Sequence, residues 1–310
     1  MTFRIITPYE ITAAEIVATN IPLEPEWDHG DVYSRGAPGS IVLASDGQIY
    51  EFIGDSGAAY AHANPVLPDQ PDWVLLGPPN RLRPFDIQRG VDQARVIETH
   101  AEWPEEITYT VAAPGRVMGL CFENVEGSSI EAIATDISPG DNLDIEYQLQ
   151  DLANIQESFW RYFNLPFVPE REYRRTDLNV APSVPIDIAI SHPGGTARVG
   201  AIVMGLVQEV GATLVKPSWE IDSFSIKESD GRKTTLIRLL PGEMVSCEVK
   251  VPAGGQRAVK EVLRALDGLA AVWELSDGNP EYTVYGVLES AVMTARTSRH
   301  SYLNLRIVGL

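Results

Sequence analysis

Along most of this chain apolar and polar residues alternate over short runs, and glycine or proline closes nearly every run. Alternation with period two puts one set of side chains on one face of a pleated strand, so the pattern predicts strands. In the first half these are residues 40–43, 48–53, 107–111, 116–122 and 142–149. Residues 186–191, 198–206, 234–239, 244–251 and 283–289 follow, and the chain closes on an alternating run at 302–307.

One segment has a different period. In residues 256–266 Val259, Val262, Leu263 and Leu266 recur at the spacing of one helix face, and Gly268 stands where a helix stop is expected. Two further helices are expected. Residues 151–163 place Leu152, Ile155, Phe159 and Phe163 on one face before Pro166, and residues 11–19 carry Thr12 as a cap with Glu15 at the capping-box position.

The predicted fold is therefore mostly β, in three regions. Residues 1–86, rich in Pro, Gly, Tyr and Trp and ending at Gly77-Pro78-Pro79-Asn80, form a small N-terminal β module. Residues 87–215 form a central antiparallel β-sandwich, and residues 216–310 form an α+β domain with one clear helix.

Composition narrows the function classes. In 310 residues, 43 acidic side chains against 24 Lys and Arg give a formal charge of −19. A field of that sign repels phosphate backbones, so no nucleic-acid partner is expected. No run approaches the roughly 20 apolar residues of a membrane span, and MTFRIITPYE lacks the apolar stretch of a signal peptide. Neither a span nor export by that route is expected. Cys121 and Cys247 lie far apart in alternating apolar runs, which predicts buried free thiols.

Catalytic patterns are scarce. The chain holds no CxxC, HExxH, P-loop or GxSxG, and Gly194-Gly195 with Gly200 and Gly205 lacks the spacing that cradles a pyrophosphate. Its five histidines are scattered singly, so no metal and no cofactor are expected. The oxygen-rich run 136–144 departs from the order of a calcium loop and reads as a solvated turn. Asp144 and Glu146 share one strand face, roughly 7 Å apart by strand rise, within the separation used by glycoside hydrolases. The competing reading is the wet face of a sheet. Glu170, Arg171, Glu172, Arg174, Arg175 and Asp177 mix signs closely, as salt-bridged surfaces and subunit contacts do.

Trp27, Tyr33, Tyr50, Tyr60 and Trp73 crowd into one short segment. Such rings either stack on sugar C–H faces or make a miniature core for a module without disulfides. The run Pro25-Glu26-Trp27-Asp28-His29-Gly30-Asp31-Val32-Tyr33, then Gly47-Gln48-Ile49-Tyr50-Glu51, Pro71-Asp72-Trp73 and Pro84-Phe85-Asp86, resembles a module of tailed-bacteriophage tail-tip proteins of the siphophage type. In outline it is also similar to small chitin-binding carbohydrate modules. Trp27, Tyr33, Tyr50 and Trp73 match the aromatic pattern of those modules, whereas residues 34–40 replace their tight Gly-Asp turn. Arg174-Arg175-Thr176-Asp177-Leu178, residues 199–205, Gly211-Ala212-Thr213 and residues 305–310 are similar to later segments of the same phage proteins, in the same order. The C-terminal layout resembles the tail-tube-like domains of distal tail rings.

The resemblance implies a non-enzymatic virion structural protein of the tail tip or baseplate, assembled in the host cytoplasm and acting in tail assembly and host attachment. Its partners would be further copies of itself, with a trimer as the expected state, and other tail proteins. Two alternatives remain open: a receptor-binding protein that recognises a host surface glycan through Trp27, Tyr33, Tyr50 and Trp73, and a polysaccharide-degrading hydrolase using Asp144 and Glu146.

Overall fold

The computed structural model describes residues 2–28, 31, 33–37, 39–54, 65–66, 72–86, 100–134, 143–149, 170–214, 217–222, 226–230, 233–237, 242–276, 282–295 and 300–310. The expected helix at 151–163 and most of the oxygen-rich run 136–144 lie outside the described residues. Strands β1 (Thr2–Pro8), β2 (Ile16–Thr19), β3 (Ile41–Leu43), β4 (Ile49–Phe52), β5 (Trp73–Gly77) and β6 (Ala101–Ala112) come first. Next are β7 (Gly119–Glu126), β8 (Ser129–Ala134), β9 (Asp144–Gln148), β10 (Tyr173–Arg175), β11 (Pro185–Thr213) and β12 (Ser218–Asp222). The chain ends with β13 (Ile226–Asp230), β14 (Lys233–Ile237), β15 (Gly242–Pro252), helix α1 (Gln256–Ala265), β16 (Ala270–Glu274), β17 (Thr283–Ala295) and β18 (His300–Gly309). The chain is mostly β, antiparallel in its pairings between strands, with one α-helix among the described residues.

Two compact units result. One comprises Met1–Pro8 with Gly205–Leu310, and the other Tyr9–Met204. Strand β1, which falls in the expected N-terminal module by sequence, pairs with residues 205–212 and belongs to the C-terminal unit.

In the unit Tyr9–Met204 the first stretch of β11 lies between β6 and β8. Three apolar rows cross these strands: Val111–Ile186–Ala134, Tyr109–Ile188–Ala132 and Ile107–Ile190–Ile130, all buried. Such rows are the sheet equivalent of helix i, i+4 pairs and fix the register, because a one-residue slip would turn every member outward. Between Ser191 and Thr196 the pairing with β6 shifts, and Ala197 and Val199 return to the buried face beyond it. A bulge of this kind bends a strand without ending it. Two predicted strands, 186–191 and 198–206, are therefore one strand of 29 residues. Strand β7 pairs with β11 and β10, while β9 pairs with β8 and β2 with β6.

The short helix expected at 11–19 does not form. Glu15 accepts hydrogen bonds from the Thr12 amide (2.8 Å) and hydroxyl (2.5 Å), and the Ala14 amide donates to Thr12 Oγ1, so the capping interactions complete a single turn. The β-branched residues Ile16 and Val17 then favour extended backbone, and β2 pairs with Val111–Tyr109 of β6. Hydrogen bonding from Thr12 holds the Glu15 carboxyl below its ordinary pKa.

The C-terminal unit closes a sheet on itself. Strand β1 pairs with β11 on one side and β16 on the other; β16 pairs with β17, β17 with β18, and β18 with β15. Strand β15 then returns to β11 through Ala212↔Lys250 and Thr213↔Val249, and the Leu214 amide donates to the Glu248 carbonyl. This is a six-stranded antiparallel barrel, with β12 continuing along β15 as an outer strand. Gly211 sits at the seam, where an added Cβ would stand 2.3 Å from the Lys250 carbonyl oxygen. Only glycine permits that approach.

Phe3, Ile5, Val249, Trp273, Leu305 and Ile307 fill the barrel, and α1 packs against them through Val259, Leu263 and the adjoining Leu266. The helix-period pattern at 256–266 thus faces a strand-built core. Trp273 is fully buried, donates its indole N–H to the Gly286 carbonyl (2.9 Å) and stacks on Phe3 at 6.4 Å. Trp273→Ala is expected to destabilise the C-terminal unit by about 3–5 kcal/mol through lost burial and a cavity. Urea unfolding followed by fluorescence measures this, and a change below about 1 kcal/mol would contradict the packing described.

Candidate functional site

The four aromatic candidates all lie on or beside the small sheet β3–β4–β5. Val42, Tyr50 and Phe52 project from one face of β3 and β4, and Trp73 pairs with Phe52 at the start of β5. Tyr33 and Trp73 are only 6% and 7% exposed, and their rings meet edge-on at 5.1 Å. Trp73 also meets Phe52 edge-on at 5.2 Å. The Tyr33 hydroxyl accepts from the Asp28 amide and donates to the Asp28 carbonyl, tying the preceding loop to this cluster.

Tyr33 and Trp73 therefore form the miniature core, together with Val42 and Phe52. Trp27 and Tyr50 pack against that core from outside and are half-buried. The Tyr50 hydroxyl donates to Asp46 at 2.8 Å, and burial followed by that carboxylate pushes its pKa up to about 12. A neutral, half-wet phenol and a half-wet indole can each stack on a sugar face.

Asp144 and Glu146 share the exposed face of β9, as their spacing predicts. Their cross-strand partners are Ile133 and Glu131, so Glu146 faces another carboxylate. The mixed-charge run around 170–177 is surface ion pairing: Arg175 binds Asp177 at 2.8 Å and donates to the Asp144 carbonyl, and Arg171 lies 3.6 Å from Glu126. Arg198 joins Glu126 to Glu102, and His100 reaches Glu102 at 3.4 Å. Exposed pairs of this kind are screened by water and salt and contribute little to stability.

Cys121 and Cys247 are both free and buried, on β7 and β15. Burial, helped by the Glu123 carboxylate that accepts from its Sγ, raises the Cys121 thiol well above its ordinary pKa. Burial alone pushes Cys247 up to about 12. Among the described residues no group of three His, Cys, Asp or Glu side chains is arranged to hold a metal, and no helix is long and apolar enough to cross a membrane.

Two surface features escaped the sequence reading. Trp219, on the outer strand β12, is 55% exposed. A cleft of about 420 Å³ opens between α1 and β17, bordered by Lys260 and Arg264. A tryptophan between Ser218 and Glu220 in a strand-like run was a usable signal for the first. The cleft had none, because its walls come from segments brought together only by barrel closure.

No protein-family model matches the chain, and no curated protein matches it.

Two outcomes follow from these placements. Trp73→Ala is expected to disorder the small sheet, costing about 3–5 kcal/mol locally, whereas Trp27→Ala and Tyr50→Ala leave it folded. Near-ultraviolet circular dichroism of the full chain distinguishes them, and an unchanged spectrum in Trp73→Ala would contradict the miniature core. For Cys247 the folded state keeps its proton after the unfolded thiol has lost it, so stability falls as pH rises from about 9 towards 12. Urea midpoints across that range should fall less steeply in Cys247→Ala, and equal slopes would show that the thiol is not shielded.

Proposed function

We propose that this protein is a non-enzymatic structural component of a phage tail tip or baseplate, working by assembly contacts. The observation that carries the reading is the C-terminal unit: a closed antiparallel barrel with a single helix between β15 and β16, and one extra strand, β12, paired with β15 beyond the closing pairs. A closed barrel has no free edges of its own, so the added strand is where backbone hydrogen-bonding groups remain open to a neighbour. The tail-tube-like resemblance of residues 216–310 and the ordered matches upstream support the same reading. Self-association is part of it, with a trimer as the expected state, and other tail proteins complete the set of partners.

A second reading is favoured by one feature of the small sheet. Trp27 and Tyr50 keep part of their surfaces wet while Tyr33 and Trp73 hold the fold beneath them. On this reading the N-terminal module contacts a host surface glycan with two of the four candidate aromatics.

The test is antibody labelling of intact virus particles produced by the strain that carries the gene, viewed by electron microscopy. Gold at the distal end of the tail is expected. Particles that lack the protein altogether would overturn the virion assignment. Binding of the purified chain to host cells, saturable in the wild type and lost in Trp27→Ala with Tyr50→Ala, would add the glycan reading; unchanged binding would remove those two rings from it.

A further inference from the structure

Beyond its closing pairs the barrel carries an arm. Strand β12 runs antiparallel to β15 from Ser218↔Ser246 to Asp222↔Gly242, and the segments that follow pair again as β13 and β14, from Ile226↔Ile237 to Asp230↔Lys233. The two registers belong to one hairpin. Its last described pair is separated in sequence by Gly231-Arg232, a glycine-first pair of the kind that two-residue hairpin turns favour. Among the described residues β12 has β15 beside it, itself held by β18, whereas β13 and β14 pair only with each other. A two-stranded hairpin is marginal by itself in water, and each of its outer edges carries a row of unpaired N–H and C=O groups. The arm gains most from strands added at those edges.

The distribution of charge says where such strands come from. Tyr9–Met204 holds 30 acidic side chains against 11 Lys and Arg, which is the whole formal charge of −19, while Met1–Pro8 with Gly205–Leu310 holds 13 of each. Two copies meeting through their acidic units set −19 against −19, and a meeting of C-terminal units carries no such penalty. The two edges of the arm also differ in sign. By sequence β13 contains Lys227, Glu228 and Asp230, a net negative strand, and β14 contains Lys233 as its one charge. Pairing β14 with β13 sets unlike charge against unlike. Pairing of like edges repeats a charge and leaves the other edge bare.

We infer that the arm pairs with the arm of a second copy of this chain, β14 of one against β13 of the next, as an antiparallel continuation of the hairpin. The contact joins different edges, so it is heterologous, and a ring that closes leaves no edge of any arm open. Three arms supply six strands, the number that closes the barrel within each C-terminal unit. In strand addition of this kind the main-chain hydrogen bonds supply the affinity. The inference specifies the contact behind the assembly reading and rests on it.

Sedimentation velocity of the full-length chain over a range of concentrations and salt tests it, beside a variant in which Asn-Gly replaces residues 223–241. That replacement keeps Asp222 opposite Gly242 across a two-residue turn and removes β13 and β14. The expected result is a wild type that self-associates, more tightly as salt screens the acidic units, and a shortened chain weakened at least about tenfold. A wild type that associates and a shortened chain that associates equally well would overturn this contact while leaving the assembly reading standing. Association that weakens steeply with salt would place the contact on charged surface and overturn the inference too. A wild type that stays monomeric at every concentration would overturn both.

A second measurement keeps the inference falsifiable where the shortened chain fails to fold. In the unaltered chain, amide hydrogen exchange of peptides covering residues 226–230 and 233–237 should slow at least about tenfold, in both strands, between dilute monomer and concentrated oligomer. Unchanged exchange in both would overturn the arm contact. Protection confined to one of the two strands would overturn the head-to-tail pairing in favour of like edges.

Discussion

The closing pairs between β11 and β15 are the constraint on which the C-terminal unit depends. Ala212↔Lys250 and Thr213↔Val249 convert a row of strands into a barrel, and the row would otherwise expose two long edges. Closure explains the glycine at 211, since the Lys250 backbone occupies the space that a side chain would need. It also explains why β1, from the start of the chain, is held between residues 205–212 and 272–274: without it the ring has a gap between β11 and β16. Once the ring is shut, Trp273 and Phe3 have a common interior, and α1 has an apolar surface to cover with Val259 and Leu263. The outer strand β12 and the cleft beside α1 are then the features left facing outward.

The small sheet β3–β4–β5 solves a different problem with similar means. Three short strands bury little area, and large aromatic rings supply the core that a longer aliphatic set would otherwise provide. Tyr33, Phe52 and Trp73 meet edge-on or tilted, and the Tyr33 hydroxyl is used up on the Asp28 backbone. The same residue types that resemble a sugar platform in the sequence are thus divided by packing. Two hold the fold, and Trp27 and Tyr50 keep a wet surface.

How much of this was legible follows from the kind of signal each element carries. Residues 107–111, 186–191 and 244–251 alternate cleanly because one face is buried and the other is not, and all three are strands. The helix at 256–266 was legible for the same reason at a different period. Strand β16 was not: all five residues from Ala270 to Glu274 are buried, so no alternation marks it. Gly194-Gly195 looks like a break, yet the backbone bulges there and β11 continues. At 11–19 the capping residues were read correctly, but Ile16 and Val17 found a partner in β6 and tertiary pairing overrode the helix start. Of the candidate site, the aromatic positions were legible from residue type. Their burial was not, because Trp73 and Tyr33 become interior only when the three strands assemble. Pairing of residue 4 with residues 209 and 274 spans most of the chain, and local patterns carry no trace of it.

Amide hydrogen exchange on the full-length chain, read by mass spectrometry, is the most direct test of barrel closure. Peptides covering residues 205–213 and 247–251 should exchange as slowly as those from β16 and β18, opening only with the whole unit, while residues 218–222 exchange faster because one side of β12 has no described neighbour. If residues 205–213 and 247–251 exchanged as fast as residues 218–222, the seam would be open in solution and the barrel would be an incomplete sheet.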